Sequence, residues 1–258
     1  MRFKVAAICG LIVLSGWVAR SADGQQQVKT NQLKLSKVVT NNTVLVKTNL
    51  AIGAVTIPVP VLVTNATPQM PGDPYTNSVG MEFVKLGGGS WAGRYEVTQR
   101  EYQLVMGSAP SHFSGARLPV DSVTYDDAVE FCQKLTEQEL KEKKLPEGFS
   151  YTLPTEGQWE GLVADASLAQ AVTSANGSRS STSPVGSLAP NSLGLYDVRG
   201  NVMEFCLGSA MPYRVLRGGS WQDWISVNLR LDFRYYARPD ERKDTFGFRC
   251  LLVQSGKK

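Results

Sequence analysis

Thr155-Glu156-Gly157-Gln158-Trp159-Glu160-Gly161-Leu162 is the stretch at which this 258-residue chain changes character. Thr155 stands where a helix cap belongs, and Trp159 and Leu162 supply an apolar side for the turn or two that follow. Upstream, Val97 to Gln103 begins another helix, with Thr98 as cap and Glu101 three residues on, the spacing of a capping box. A third begins at Thr124 or Tyr125, and Ala128, Phe131, Cys132 and Leu135 then fall on one apolar face. Lys141 to Lys144 forms its solvated charged end. Gly80-Met81-Glu82-Phe83-Val84 predicts a strand leading into the Gly87-Gly88-Gly89 turn. Downstream of the quoted stretch the chain becomes rich in Gly, Ser, Pro and Asn, with only short strand-like pieces. Two or three helices followed by loop-rich β structure predict an α+β fold.

A series of motifs surrounds that stretch in fixed order. Arg94-Tyr95-Glu96-Val97-Thr98, Met106-Gly107-Ser108-Ala109-Pro110-Ser111-His112-Phe113, Leu118-Pro119-Val120 and Asp126-Asp127-Ala128 with Phe131-Cys132 come first. Leu153-Pro154-Thr155-Glu156-Gly157-Gln158-Trp159-Glu160, Pro190 to Asp197, and Gly200-Asn201-Val202-Met203-Glu204 follow. Arg217-Gly218-Gly219-Ser220-Trp221 and Gly247-Phe248-Arg249-Cys250 close the series. From Ser78 to Leu252 the chain resembles the sulfatase-modifying factor family, also called formylglycine-generating enzymes. The resemblance implies a variant C-type-lectin-like fold, a twisted antiparallel sheet with long loops.

A fold does not fix a function, which resides in particular side chains. In the oxidase members of the family, two cysteines after the GGS motif bind copper(I), and oxygen then converts a substrate cysteine in a Cys-x-Pro-x-Arg segment to formylglycine. Copper(I) calls for soft thiolates. The corresponding positions here are Asp223 and Asn228, and no cysteine lies between Cys206 and Cys250. Ser220 keeps the serine of GGS, while Met203 replaces the family's aromatic. No catalytic residues and no copper are therefore expected. Ser220, Trp221, Asp223, Trp224, Asn228 and Tyr235 would line the former active groove as an aromatic and polar ligand surface.

Asp197 and Glu204 bracket Gly200-Asn201, so the chain can fold back and present two carboxylates with intervening carbonyls, a hard-oxygen set that suits calcium. The resemblance implies side-chain ligation by Asp197 and Glu204 and carbonyl ligation by Gly200 and Val202. The alternative is a tight turn in which Asp197 caps and Glu204 pairs with an arginine. The family's second calcium site is not expected, because residues 169–184 are nearly free of acid. Arg230 and Arg249 are expected to pair with acidic neighbours such as Asp232 and Asp244. Glu156 and Glu160 read as part of a capped helix rather than a catalytic pair, and His112, the only histidine, forms no dyad and excludes a multi-histidine metal centre.

The first residues point to export. Arg2 and Lys4 precede an apolar run from Val5 to Val18, and Ala19, Ser21 and Ala22 offer a cleavage site, the layout of a signal peptide over 1–22. The run is short for a membrane span, so the mature chain is expected to be secreted, periplasmic or extracellular and not to span a membrane. Residues 23–77 read as a Thr/Asn/Val-rich tether in which Thr-Asn recurs at Thr30, Thr40, Thr48, Thr64 and Thr76. Pro58 and Pro60 exclude a central strand there, and a small β-rich module is the alternative. The folded domain is expected over 78–253, with a tail at 254–258. Loss of the signal leaves Cys132, Cys206 and Cys250, hence one disulfide and one leftover thiol in an oxidising compartment. Cys132 and Cys250 match a structural disulfide of secreted family members, and Cys206 is expected to stay a buried thiol. The net charge of +4 is scattered and forms no basic stripe, which argues against nucleic acid.

The reading that follows is a secreted, calcium-stabilised domain that binds an unidentified protein or small ligand through the Trp221 to Asp240 loop. Its competitors are an oxidase or other enzyme with an altered metal site on Asp223 and Ser220, and a structural surface component carried on the tether.

Overall fold

The structure, a computed structural model, describes residues 72–208 and 212–254 throughout; before residue 72 it describes only the backbone of five strands. The chain divides into two compact units, Met1–Asn65 and Ala66–Lys258. In the first, β1 (Lys4–Ile8) pairs with β2 (Leu11–Ser15), and β3 (Leu35–Thr40), β4 (Thr43–Ile52) and β5 (Val55–Val63) form an antiparallel sheet. Pro58 and Pro60 fall on β5, an outer strand of that sheet, the position at which proline is tolerated. The cleavage residues Ala19, Ser21 and Ala22 lie outside the described residues; of the tail expected at 254–258, Gln254 falls on the last strand (Leu251–Gln254) and 255–258 lie outside the described residues.

The second unit is built on three helices, each begun by a reciprocal capping box. Thr98 opens α1 (Gln99–Met106) with Glu101, Thr124 opens α2 (Tyr125–Lys141) with Asp127, and Thr155 opens α3 (Glu156–Val163) with Gln158. Each box satisfies two otherwise orphaned backbone donors. α1 ends at Gly107 in the left-handed conformation. The α2 face predicted from spacing is the buried one, with Ala128, Phe131, Cys132 and Leu135 in the core.

Two sheets carry these helices. One has the order β6 (Tyr75–Thr76), β7 (Glu82–Gly87), β8 (Ser90–Gly93), β14 (Leu251–Gln254), β9 (Phe149–Thr152). The other has the order β12 (Tyr235–Ala237), β11 (Arg214–Arg217), β10 (Met203–Phe205), β13 (Phe246–Gly247). All pairings are antiparallel except β10 with β13. The fold is α+β, as the sequence predicts.

Two boundaries differ from expectation. The first long strand begins at Glu82 rather than Gly80, because Asn77 accepts from the backbone of Val79 and Met81 and holds those residues in a turn. Order also begins before Ser78: β6 pairs with β7, and the Trp91 indole donates to the carbonyl of Gly72. Buried Glu139 ties this entry segment to α2 by accepting from Ser78 N at 2.6 Å and from the Tyr151 hydroxyl at 2.6 Å.

The segment from Phe246 to Leu251 passes from one sheet into the other, and its residues are all buried. Phe248 packs edge-on against Tyr102 of α1 and Phe131 of α2, joining both helices to the sheets. Gly247 is required in this passage: a Cβ there would lie 2.7 Å from the Val120 carbonyl and 2.6 Å from Val202 Cγ2.

Candidate functional site

The segment after β11 is fixed by interlocking backbones. Gly200 N donates to Gly218 O and Trp221 N to Asn201 O, so the Gly200-Asn201 and Gly218-to-Trp221 motifs hold each other. Gly200 has φ +83°, and a Cβ on it would sit 2.6 Å from Val172 O, so close approach and conformation both demand glycine.

Within this frame, Asp223 is the organising side chain. Its Oδ2 accepts from Ser220 N and Ser220 Oγ, both at 2.8 Å, and its Oδ1 accepts from Asn228 Nδ2 at 2.9 Å. The two positions that correspond to the copper ligands of the oxidase members are thus adjacent, and they bond to each other. The Asp223 carboxylate, with three donors, and the Asn228 amide offer oxygen and nitrogen here and no soft ligand. Ser220 is fully buried and Asp223 nearly so.

The remaining predicted groove residues divide. Trp221 is buried, edge-on to Phe113, with its indole donating to Asp244 O. Tyr235 packs on Phe246, its hydroxyl bonded to Glu241. Trp224 projects into solvent, 72% exposed, and Ile225, Val227 and Leu231 are exposed beside it in sequence. Ser220, Asp223 and Asn228 thus form a hydrogen-bonded polar turn, interleaved in sequence with exposed apolar side chains.

The second cluster centres on Arg249. Its Nε and Nη2 donate to Glu204 at 2.8 to 3.2 Å, Nη1 to Gly93 O at 2.8 Å and Nη2 to Tyr196 O at 2.7 Å, with both side chains wholly inaccessible. The expected partner Asp244 is not used, whereas Arg230 does pair with Asp232. Parallel pairing of β10 with β13 sets Glu204 opposite Gly247, two residues from Arg249. Trp159 Nε1 also donates to Glu204, and the Arg217 guanidinium lies over the Trp159 ring at 5.0 Å. Arg217 in turn bonds Glu156 and Glu160 on α3, so those two acids are structural.

Glu204, expected as a calcium ligand, thus has its acceptor directions filled by Arg249 and Trp159, the arginine-paired alternative. Asp197 accepts from Gly186 N at 2.7 Å. A third buried acid, Glu96, was not singled out by sequence; it accepts from Asn201 Nδ2 at 2.6 Å and Val202 N at 2.9 Å. Burial first, then the charges of Asp197 and Glu204, push Glu96 well above the ordinary carboxylate range. Burial likewise raises Asp197. Burial would pull Arg249 down, but Glu204 with Glu96 and Asp197 together outweigh it and hold the guanidinium above its usual value. Among the described residues no group of three or more His, Cys, Asp or Glu side chains is placed to hold a metal ion, and the hydrogen bonding of Glu204 does not fit it as a ligand.

Cys132 Sγ and Cys250 Sγ are 3.6 Å apart, buried and unbonded, and burial raises Cys250. Cys206 is a separate buried thiol, pushed up by burial. His112 is exposed; its backbone N–H donates to Asp121. Among the described residues no helix is long and apolar enough to cross a membrane.

The model of the sulfatase-modifying factor enzyme 1-like domain matches residues 56–253. The chaperone protein LppX of Paenibacillus barcinonensis is 27% identical, over 53% of this chain and 71% of that protein. The inactive C-alpha-formylglycine-generating enzyme 2 of Mus musculus is 34% identical, over 52% of this chain and 48% of that protein. The chain spans only 20% of the Chlamydia trachomatis relative described as serine/threonine-protein kinase Pkn1, at 33% identity. Among solved structures, PvdO from Pseudomonas aeruginosa superposes with a TM-score of 0.58 at 21% identity, over 71% of this chain and 98% of that one.

Proposed function

We propose a function from one premise: the chain belongs to the sulfatase-modifying factor enzyme 1-like domain family. It is a non-catalytic member that binds a protein partner through the loop from Trp221 to Asp240. The observation that carries this reading is the hydrogen bond between Asp223 and Asn228, which fills with oxygen and nitrogen the place where oxidase members need two thiolates. The mouse relative named as inactive supports the loss of chemistry. Exposure of Trp224 with Ile225, Val227 and Leu231 supports recognition, because an aromatic anchor amid aliphatic side chains is the usual centre of a protein interface.

Three further features belong to the proposal. The chain is exported, on the strength of its first 22 residues. Cys132 and Cys250, already in contact, close a disulfide in an oxidising compartment. Any bound calcium is held by Asp197 with the carbonyls of Gly200 and Val202, and Glu204 stays with Arg249.

The test has two arms. Copper(I)-loaded protein incubated with a Cys-x-Pro-x-Arg peptide should consume no oxygen above background. A photo-crosslinking residue placed at Val227 in the native host should yield a discrete protein adduct, abolished by Trp224→Ala, while the same residue at exposed Leu104 yields none. Turnover, or equal labelling from both positions, overturns the reading.

A further inference from the structure

In the first unit, the sheet of order β3–β4–β5 is joined by hairpins of minimal length. Only Asn41-Asn42 separate β3 from β4, and only Gly53-Ala54 separate β4 from β5. Loops so short fix the register of a hairpin, and a slip of one residue would exchange the two faces of the sheet.

Directly opposed residues share a face of a sheet. Val46 opposes Val61, Leu50 opposes Ile57 and Ile52 opposes Val55. On the other side of β4, Val39 opposes Val44. Lys37 and Thr48 are the only polar residues on the face that these pairs define. The opposite face is mixed. Leu45 opposes Leu62 there, but Lys47 and Asn49 oppose Pro60 and Pro58.

A single sheet with one apolar face needs a second layer to shield it. The other described strands of this unit, β1 and β2, fall within the segment read as a signal peptide. Among the described residues of the second unit, exposed large apolar side chains stand singly or in the loop after Trp221, and none forms a sheet face of this extent. Growth at the β5 edge is hindered, because Pro58 and Pro60 have no N–H to offer an added strand. An identical face fits: sheets pack about 10 Å apart, and a two-fold axis makes one patch complementary to itself. About ten Val, Leu and Ile residues at roughly 60 Å² each bury about 600 Å² per copy. The pair then buries about 1,200 Å², which reaches the lower bound for a stable interface.

From this apolar face set by strand register, we propose that the sheet β3–β4–β5 is a dimerisation module that packs face to face on the same sheet of a second copy of the chain. The stretch expected as a tether thereby gains an assembling role. Two domains carried on one pair of sheets make the protein bivalent, so binding at both Trp224 loops gains avidity. The dimer itself does not depend on what the Trp224 loop binds.

The test is sedimentation equilibrium of residues 23–258, the form expected after export, which should give twice the monomer mass at micromolar concentration. Val61→Lys places a charge on the apolar face and should weaken the dimer by at least about tenfold. Leu62→Lys, next to it in the strand but on the opposite face, should leave the dimer unchanged. Val61→Thr keeps the strand preference of a β-branched residue and should weaken the dimer by about threefold or more. Far-UV circular dichroism checks that each variant keeps its strand content. A monomer at every concentration overturns the inference, whether or not it floats with lipid vesicles. So does an assembly that grows beyond two copies, the mark of edge pairing. Equal weakening by Leu62→Lys, or none by either Val61 variant, overturns it as well.

Discussion

Replacing Arg249 by methionine removes five donor contacts at once. Glu204 would keep only the Trp159 indole at 3.1 Å, and the carbonyls of Gly93 and Tyr196 would lose their partner. Breaking a fully buried pair by removing one member costs about 3 to 5 kcal/mol, because the remaining charge is stranded. The orphaned carbonyls add to this, at about 1 to 3 kcal/mol for each that finds no water. Glu204 has one escape, which is to take a proton; burial already pushes its carboxyl up. The loss should therefore be greater at pH 8 than at pH 5. Urea unfolding followed by tryptophan fluorescence reads it directly: with m of about 2 kcal/mol/M, a loss of 4 kcal/mol moves the midpoint by about 2 M. Glu204→Gln combined with Arg249→Met removes the stranded charge and should recover more than half of the loss. A single variant that costs under about 1 kcal/mol, or a double variant no more stable than the single, would refute the reasoning.

Asp223→Cys with Asn228→Cys should create a copper(I) site, since the replaced side chains already touch; equilibrium competition with a chromophoric copper(I) chelator checks it, and no gain over wild type counts against the aligned geometry. Calcium should raise the melting temperature of wild type and of Glu204→Gln alike but not of Asp197→Asn, as scanning calorimetry in calcium and in chelator would register. Glu96 is raised in the folded state, so its contribution is fully present below its unfolded value and is lost as pH rises through the folded value. Glu96→Gln should then flatten the fall of stability with pH above the ordinary carboxylate range, measured by urea midpoints from pH 5 to 8. After air oxidation, one thiol per mature chain should react with a thiol reagent under denaturing conditions, against three after reduction; Cys132→Ser should leave two in either case.

The parts of this fold legible in sequence are those decided locally. Three capping boxes are written within four residues each, and the α2 face within eight, so Thr98, Thr124, Thr155 and the Ala128-to-Leu135 stripe could be read without tertiary knowledge. Arg249 could not. Asp244 is five residues away and looked the natural partner, whereas Glu204 is 45 residues away and reaches Arg249 only through the parallel pairing of β10 with β13. Glu96 was hidden for the same reason: within Tyr95-Glu96-Val97 it resembles an alternating strand residue, and its partners Asn201 and Val202 lie over 100 residues on. At the groove, the motif count from Gly218 located Asp223 and Asn228, but not the bond between them. Nor did it reveal that Tyr235 packs on Phe246 and bonds Glu241, on a strand paired with β11.

The residues that hold this domain together are not the ones that would recognise a partner. Arg217, Trp159, Glu204 and Arg249 form a continuous buried chain, with Arg217 and Arg249 inaccessible at their side chains. Trp224, Ile225 and Val227 are solvent-exposed and contribute little to the core. Surface substitutions away from buried contacts change stability by about 0.5 kcal/mol or less, so the loop can be rewritten without unfolding the frame beneath it. Asp223 marks the boundary between the two sets. Its three donors anchor the turn, and the apolar side chains next to it in sequence are exposed. Asp223 and Asn228 bond within the turn after β11, whereas Trp159, Glu204 and Arg249 bond one another in the core and Arg217 bonds Glu156 of α3. Asp223→Ala should accordingly loosen the loop first: amide exchange should quicken at Ser220 and Asn228 well before it does at Phe248. Equal quickening at all three would mean that turn and core open as one unit, and the separation argued here would not hold.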